Sequence, residues 1–369
     1  MSHDPGLASW LQLSLTPGLG PATLRKLLQQ FGLPQAVLAR KRSELSTLAP
    51  AAALAALDSE PVANAVARAL AWAAEPGHAV ITLADETYPR LLLEIADPPP
   101  LLYARGRAEL LQRSALAIVG SRNATQQGTA NAEAFARTLS EAGLTIVSGL
   151  ALGIDAAAHR GGLQGAGSTI AVLGTGIDVI YPQRNAALAA EIAARGLIVS
   201  EFALGSAPTA QNFPRRNRLI SGLARGCLVV EAAVASGSLI TARAAADQGR
   251  DVFALPGSIH SPLAKGCHVL IKSGAKLVES AEDVLTELSG FRPSGFASTR
   301  EPSRAAGAQA ESGLLAHMGH DPVDVDSLCS RAGLSAEQVS SELLRLELDG
   351  RVAVLPGGLY QRLEKEGRR

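Results

Sequence analysis

Several features are missing from this sequence, and each absence excludes a class of protein. The chain has only three cysteines, Cys227, Cys267 and Cys329, and they form no CxxC pair. Such cysteines supply neither a disulfide framework nor a zinc site, and they suit a reducing cytosol. The first residues lack the basic and apolar regions of a signal peptide, and no apolar run is long enough to cross a bilayer. We therefore expect a cytoplasmic protein with no membrane segment and no metal site.

The signatures of nucleotide-dependent enzymes are also missing. No GxxxxGK[ST] loop occurs, and the run Gly174-Thr175-Gly176-Ile177-Asp178-Val179 lacks the third glycine of a dinucleotide fingerprint. The strand ending at Ser148-Gly149 carries no acid that could hold an adenosine ribose. Asp155 and His159 could form an acid/base pair, but no nucleophile or oxyanion donor is identifiable around them, so we favour a structural role. We expect no cofactor and no catalytic residue.

Positive charge is concentrated in one segment, although 34 lysines and arginines balance 34 aspartates and glutamates overall. No acidic residue lies between Glu201 and Glu231, and this interval holds four arginines: Arg215, Arg216, Arg218 and Arg225. Phe213 stands just before them and precedes a proline, which favours an exposed ring. Guanidinium groups beside an aromatic ring are typical of nucleic-acid binding. The alternative is a helix whose arginines are solvated or paired with Glu201 and Glu231.

Short apolar runs alternate with helical stretches from about residue 78 to 288. Six runs are predicted to be strands: residues 115–120, 144–149, 169–174, 197–202, 227–232 and 251–257. Buried strands that alternate with helices predict an α/β fold with an extended Rossmann-like, doubly wound parallel sheet. Ligands of such sheets bind where the strands end.

Glycine-rich loops follow three of these strands, at Gly120-Ser121-Arg122, Gly149 to Gly153, and Gly174-Thr175-Gly176. Their N–H groups could form a row of phosphate sites, although each glycine alone is also explained by a tight turn. Arg122 is the only charged residue between Ser114 and Glu133, and we favour an anion-binding role for it over a structural ion pair. The segment 236–241 either caps a helix or cradles a phosphate. We expect Arg122 and Arg215 to Arg218 to face one cleft.

Smaller units flank the sheet. Residues 1–75 predict a helical domain, in which Leu15 to Thr23 is either a phosphate-binding helix-hairpin-helix turn or an ordinary Gly/Pro turn. Residues 289–308 are rich in Ser, Pro, Gly and Ala and predict a flexible linker. Residues 309–363 predict two helices, Asp326 to Ala332 and Ser335 to Leu348, followed by a hairpin. That order is typical of a winged helix, and Ser335 is the expected N-cap of the second helix.

Together these motifs resemble those of the DNA-processing protein A family (DprA, also called Smf). The similarity runs in order over about residues 80 to 285. It comprises these segments: Ala117–Arg122, Val147–His159, Ala171–Asp178, Tyr181-Pro182, Phe213–Leu223, Ser236–Thr241, Leu255–Ile259, Gly266–His268 and Gly274–Leu277. The N-terminal helices and the C-terminal winged helix are also similar to those of longer family members.

The resemblance implies a non-enzymatic recombination mediator. Such a protein would bind single-stranded DNA, protect incoming DNA, form a homodimer and load the RecA recombinase during natural transformation. By position, Arg122 and the stretch Phe213-Pro214-Arg215-Arg216-Asn217-Arg218 would contact the DNA. The surface around His268, Ile271 and Leu277 would bind a second copy or RecA. Some relatives have a lysine three residues before the phenylalanine, where this chain has Ala210. The resemblance then implies that a phosphate contact is either missing or moved to Arg215 or Arg216.

Two other functions remain open at this stage. The strand-end loops could instead hold a nucleoside phosphate in a Rossmann-like hydrolase. The winged helix could bind duplex DNA as a sequence-specific regulator. Its helix Ser335 to Leu348 carries Glu337, Glu342 and Glu347 but only one arginine, Arg345, which is unfavourable in a DNA groove and equally compatible with protein binding.

Overall fold

The computed structural model describes residues 5–288, 291, 313–319, 322–355 and 357–363. It divides into two units, Met1–Phe296 and Ala297–Arg369, which are considered separately below. The predicted linker, residues 289–308, lies outside the described residues except for Phe291. Within the described ranges, no helix has both the length and the apolar character needed to span a bilayer.

Helices alone make up the first part of the larger unit. They are α1 Pro5–Leu15, α2 Pro21–Phe31, α3 Pro34–Leu38, α4 Arg42–Leu45, α5 Ala51–Ala56 and α6 Glu60–Ala73. Pro21 and Pro34 stand in the first turns of their helices, where no N–H partner is needed. Leu11 of α1 shares an apolar cluster with Tyr103 of the sheet, so these helices and the sheet have a continuous core.

A nine-stranded sheet forms the centre of this unit. Its strands are β1 His78–Thr82, β2 Leu101–Gly106, β3 Ala115–Val119, β4 Thr145–Ser148, β5 Thr169–Val172, β6 Leu197–Ser200, β7 Gly226–Val229, β8 Asp251–Ala254 and β9 Lys276–Leu277. Their spatial order is β1-β2-β6-β5-β4-β3-β7-β8-β9. The strands from β6 to β9 in this order pair in parallel, whereas β2 pairs antiparallel with both β1 and β6.

The predicted α/β fold with a doubly wound sheet is confirmed. All six predicted strands are present, each ending a residue or more earlier than predicted. Strands β1, β2 and β9 were not predicted: β1 and β2 form an antiparallel extension of the parallel pattern, and β9 is only two residues long. The chain runs outward from β3 to β6 and then returns to place β7 on the other side of β3. Between β3 and β7 lies the topological switch point, where such sheets bind ligands.

Helices cover the sheet on both faces. They are α7 Arg90–Leu93, α8 Gln126–Glu141, α9 Ile154–Gly162, α10 Ala186–Arg195, α11 Asn212–Gly222, α12 Ser238–Asp247, α13 Lys265–Lys272 and α14 Ala281–Glu287. Helix α9 packs so closely on α8 that a Cβ on Gly161 would lie 2.1 Å from the carbonyl oxygen of Glu133. Because that contact admits only glycine, the two helices and the loops before them are held in fixed positions.

The smaller unit has the predicted winged-helix plan. It contains α15 Leu315–Met318, α16 Val325–Ala332 and α17 Ala336–Leu348, with strands β10 Val323–Asp324, β11 Val352–Leu355 and β12 Leu359–Arg362 in the order β10-β12-β11. Ser335 is the N-cap of α17, as predicted. Its reciprocal partner is the amide of Gln338, three residues on, which completes a capping box.

The three cysteines are free thiols. Cys227 and Cys267 are fully buried in the sheet unit, and burial raises the pKa of Cys227 to about 12 and that of Cys267 to about 11. Cys329 lies in α16 and is partly exposed.

His159 is a buried, neutral histidine in the middle of α9. Its Nδ1 lies 2.7 Å from Oγ1 of Thr169, and its Nε2 accepts the N–H of Leu150 at 3.3 Å. Burial, with the nearby Arg216 and Arg160, lowers its pKa to about 3. The ring therefore acts as a neutral link between the loop after β4 and the start of β5, as expected of the structural role predicted for it.

The buried imidazole predicts a pH-dependent stability. Between about pH 6.5 and 3, the unfolded chain protonates His159 and the folded protein does not, so the free energy of unfolding falls as the pH falls. The contribution reaches about 1.4 kcal/mol per pH unit. Urea unfolding of wild type and His159→Gln at pH 7.5, 6.5 and 5.5 measures it. The variant should lose stability less steeply on acidification; equal slopes would contradict the assignment.

Candidate nucleic-acid interface

A cleft of about 820 Å³ lies at the switch point between β3 and β7. We call it the switch-point cleft. Its walls come from the loops after β3, β4, β5, β6 and β7, and its charged lining residues are Arg122, Asp155 and Arg216. Two guanidinium groups against one carboxylate leave it positively charged, which favours an anionic ligand.

Arg122 is the exposed cation of the switch-point cleft. It follows β3, and no carboxylate of the described residues lies within ion-pair distance of it, so the structural ion pair considered above is wrong. Its Cζ lies 5.7 Å from the centre of the Phe213 ring, a cation–π distance. The side chain is thus held at the cleft wall with its N–H donors available to a ligand.

Arg216 is a buried cation at the base of the same cleft, with 4% of its surface exposed. Its Nη1 donates to the carbonyl oxygen of Gly149 at 2.5 Å and to that of Val172. Burial lowers its pKa to about 10, against the attraction of Asp155, so the group stays charged at neutral pH. Arg216 therefore supplies a fixed positive potential and joins α11 to the ends of β4 and β5.

Asp155 organises the loop between β4 and α9. Its carboxylate accepts the N–H groups of Gly149 at 3.1 Å and Ala151 at 3.3 Å. Burial raises its pKa, and Arg216 together with these N–H groups opposes that effect. Asn185 donates to the carbonyl of Leu150 at 2.8 Å, which helps to hold Leu150 at a positive φ of 58°. These contacts are those expected of the structural role predicted for Asp155.

An aromatic surface forms one wall of the switch-point cleft. Phe213 lies in the first turn of α11, and its ring centre is 5.7 Å from that of Tyr181, with the planes tilted by 41°. Gly174 lies beneath the ring, since a Cβ there would come within 2.9 Å of Cδ1 of Phe213. Tyr181 is 48% exposed. We did not predict Tyr181 as a site residue. The segment Tyr181-Pro182, which is similar to the family, could have indicated it.

The opposite wall is the start of α12, at Ser236, Gly237 and Ser238. Oγ of Ser236 accepts the N–H of Ser238 at 3.3 Å, and the Asn217 amide donates to the carbonyl of Gly237 at 3.4 Å. The N-cap of α12 is Gly237, and no side chain caps the helix, so the capping alternative does not hold for Ser236. Ser236 lines the cleft, as do the predicted site residues Gly120, Ser121 and Asn217.

Arg215 and Arg218 do not share the cleft of Arg122, so that prediction is wrong for them and right for Arg216. Both donate to Oε2 of Glu201, at 3.0 Å and 2.6 Å, and neither lines the cleft. Positions three apart on a helix share a face, and the two positions between them, Arg216 and Asn217, line the cleft instead. Arg215 and Arg218 therefore form the ion pairs with Glu201 that were considered as the alternative. The carboxylate of Glu231 instead accepts hydrogen bonds from Thr125 at the start of α8.

Three loops were predicted to form a row of phosphate sites, but only the loop after β3 lines the cleft with its predicted residues. The cleft is not lined by five of the predicted residues: Gly149, Gly153, Gly174, Thr175 and Gly176. The N–H of Gly149 binds Asp155, and that of Gly176 binds the carbonyl of Ser206 at 2.9 Å. A Cβ on Gly153 would lie 2.3 Å from the Ser121 carbonyl. These glycines permit close packing, and at Gly149 and Gly176 the N–H donors are already used.

The predicted partner surface lies away from the switch point, on helix α13 and on β9, which is the last strand at one edge of the sheet. His268 and Ile271 are partly buried, and Nε2 of His268 lies 3.0 Å from the carbonyl oxygen of Gly257. Leu277 is 51% exposed on the edge strand, and Val269 of α13 is 39% exposed.

Two family models match the chain. The model of the DNA recombination-mediator protein A matches residues 79–289, and that of the DprA winged helix domain matches residues 298–358. The first match covers the whole parallel part of the sheet and every loop of the switch-point cleft.

Proteins of several bacteria are similar to this chain in sequence. Protein Smf of Escherichia coli is 44% identical over 307 residues, which are 82% of this chain and 82% of that protein. The DNA processing protein DprA of Streptococcus pneumoniae is 50% identical over 206 residues, 56% of this chain and 73% of that protein.

Solved structures agree. The X-ray structure of DprA from Streptococcus pneumoniae superposes with a TM-score of 0.69 and 38% identity over 79% of this chain and all of that one. DNA processing protein A from Helicobacter pylori, whose structure concerns a single-stranded DNA binding mode, has a TM-score of 0.51 and 32% identity over 55% of this chain and 93% of that one. The chain therefore belongs to the DNA recombination-mediator protein A family, known as DprA or Smf.

Proposed function

We propose that this chain is a non-enzymatic mediator that binds single-stranded DNA in the switch-point cleft, protects it, and loads RecA on it during natural transformation. One observation carries the DNA-binding part: Arg122, which has no carboxylate partner among the described residues, stands beside the half-buried ring of Phe213, and the exposed ring of Tyr181 lies next to that, in a cleft of net positive charge. That is the combination by which proteins bind single strands without reading sequence.

The chemistry of the cleft assigns a task to each wall. Arg122, with the Ser121 region, binds a phosphate, and the serine hydroxyls at the start of α12 lie near a neighbouring one. A base stacks on Phe213 or Tyr181. Arg216 adds a fixed positive charge at the base of the cleft, where its side chain is almost fully buried. Ala210 lines this cleft, so this position supplies no cation.

Replacing the exposed arginine should weaken DNA binding. We expect Arg122→Ala to raise the Kd for an oligothymidylate of about five nucleotides roughly tenfold, because it removes a charge-assisted contact. The salt dependence should also fall by about 0.7 per lost phosphate contact. Fluorescence anisotropy titrations between 50 and 200 mM salt measure both quantities.

Arg113→Ala is the matched control for that measurement. Arg113 is exposed and donates to the carbonyl of Ala166, at the opposite, amino-terminal edge of the same strand β3. Its loss should leave affinity and salt slope unchanged. A wild type that does not bind the short strand, or equal effects of the two substitutions, would overturn the proposal.

We also propose a homodimer, as the resemblance implies, which forms through the edge made by α13 and β9. A short edge strand with the exposed side chain of Leu277, beside the exposed Val269 of α13, is suited to pairing with a second copy. Leu277→Glu should convert the dimer to a monomer, as measured by size exclusion with light scattering. Leu93→Glu, at a leucine that is 49% exposed on α7, is the control and should remain dimeric. A monomeric wild type, or a dimeric Leu277→Glu variant, would rule out this interface.

RecA loading requires its own measurement, since it involves a second protein. The rate of RecA filament formation on single-stranded DNA should rise when the protein is added, and Arg122→Ala should reduce that gain. A gain unaffected by Arg122→Ala would separate RecA loading from the switch-point cleft.

A further inference from the structure

A second cleft, of about 500 Å³, lies between the α1–α2 turn and the sheet residues that follow β6. We call it the seam cleft. It is lined on one side by the turn from Gly18 to Pro21 and on the other by Glu201, Phe202 and Arg215. Arg215 precedes Arg216 by one residue, so the two clefts lie against different faces of the same helix, α11.

Three polar atoms are left without partners at this seam. Oε1 of Glu201, the hydroxyl of Tyr103 and Oγ of Ser14 are buried and make no hydrogen bond, and all three residues line the seam cleft. The Glu201 side chain is only 1% exposed. Buried polar groups in proteins are normally satisfied, so this concentration at one cleft points to a polar ligand that supplies the missing partners.

The α1–α2 turn supplies hydrogen-bond donors to the seam cleft. Helix α2 begins at Gly20 as N-cap, with no side chain bonded to its first N–H groups. The N–H groups of Gly18 and Gly20 donate to no described residue. An uncapped helix start of this kind attracts an anion. Opposite the turn, the half-exposed guanidinium of Arg215 lies 5.2 Å from the centre of the Phe202 ring.

We propose that the seam cleft is a second nucleotide subsite, which holds one nucleotide of a DNA strand that leaves the switch-point cleft across α11. This rests on the function proposed above. The phosphate lies between Arg215 and the N–H groups of the α1–α2 turn. The base enters the seam, where one of its N–H groups donates to Oε1 of Glu201. Every base carries such an N–H donor, so the subsite accepts any sequence.

Gly20 allows a sharp test, because a charge can be added there without strain. Its φ of −66° and ψ of 161° are extended, and an added Cβ would meet no atom within 4 Å. Gly20→Asp and Gly20→Asn both introduce a side chain that caps α2. The two variants are nearly identical in shape, and only the aspartate repels a phosphate.

Affinity for oligothymidylates of about five and about sixteen nucleotides separates the two clefts. Wild type should bind the longer strand more tightly. Gly20→Asp should weaken binding of the longer strand roughly tenfold more than Gly20→Asn does, leave the short strand unchanged, and keep or raise the Tm. Equal affinities of the two variants for the longer strand, or no gain on lengthening, would overturn the subsite. Failure of wild type to bind the short strand would overturn the proposed function itself.

A second measurement tests entry of the base. A single abasic nucleotide is moved along the longer strand, beyond the region that the short strand occupies. One position should weaken wild-type binding, and the same position should have little effect in Gly20→Asp. A profile without such a position would show that only phosphates are bound at the seam.

Discussion

The buried guanidinium of Arg216 is the contact on which the rest of the site depends. It reaches from α11 to carbonyl oxygens at the ends of β4 and β5, and Asp155 provides the opposing charge. Burying a cation is costly unless it is hydrogen-bonded and electrostatically balanced. The loop after β4 therefore has to present its carbonyls inward, and its N–H groups turn to Asp155 and His159. One side chain thus sets the conformation of three chain segments at the switch point.

This arrangement explains why the glycine-rich loops look like phosphate sites without lining the cleft. The loop at Gly149 is closed around the guanidinium of Arg216, with no room for a side chain. Gly174 similarly makes room for the ring of Phe213. In both places glycine lets another residue of the site approach the backbone, so the ligand is left to the exposed groups that these contacts support.

Much of the fold could be predicted from sequence, because six apolar runs separated by helices determine a parallel sheet almost alone. The position of the cleft followed from the same pattern through Arg122. The directions of the clustered arginines could not be predicted. Arg215 and Arg218 point to Glu201, a pairing that the sequence offered only as an alternative, and Arg216 points inward. Tertiary packing decides which face of α11 meets the sheet. A run of arginines in the sequence does not show which of them will lie on that face. Tyr181 was not predicted as a site residue for a related reason, because it contacts Phe213 only in the folded chain.

The distribution of cysteines has a practical consequence for labelling. Thiolates, not thiols, react with maleimides and oxidants. With their pKa values at about 12 and about 11, the buried Cys227 and Cys267 remain protonated at neutral pH. Cys329 is partly exposed and lies in the winged-helix unit. A fluorophore added to the native chain would therefore attach at Cys329, and an engineered cysteine in the sheet unit would provide the second dye for distance measurements between the two units.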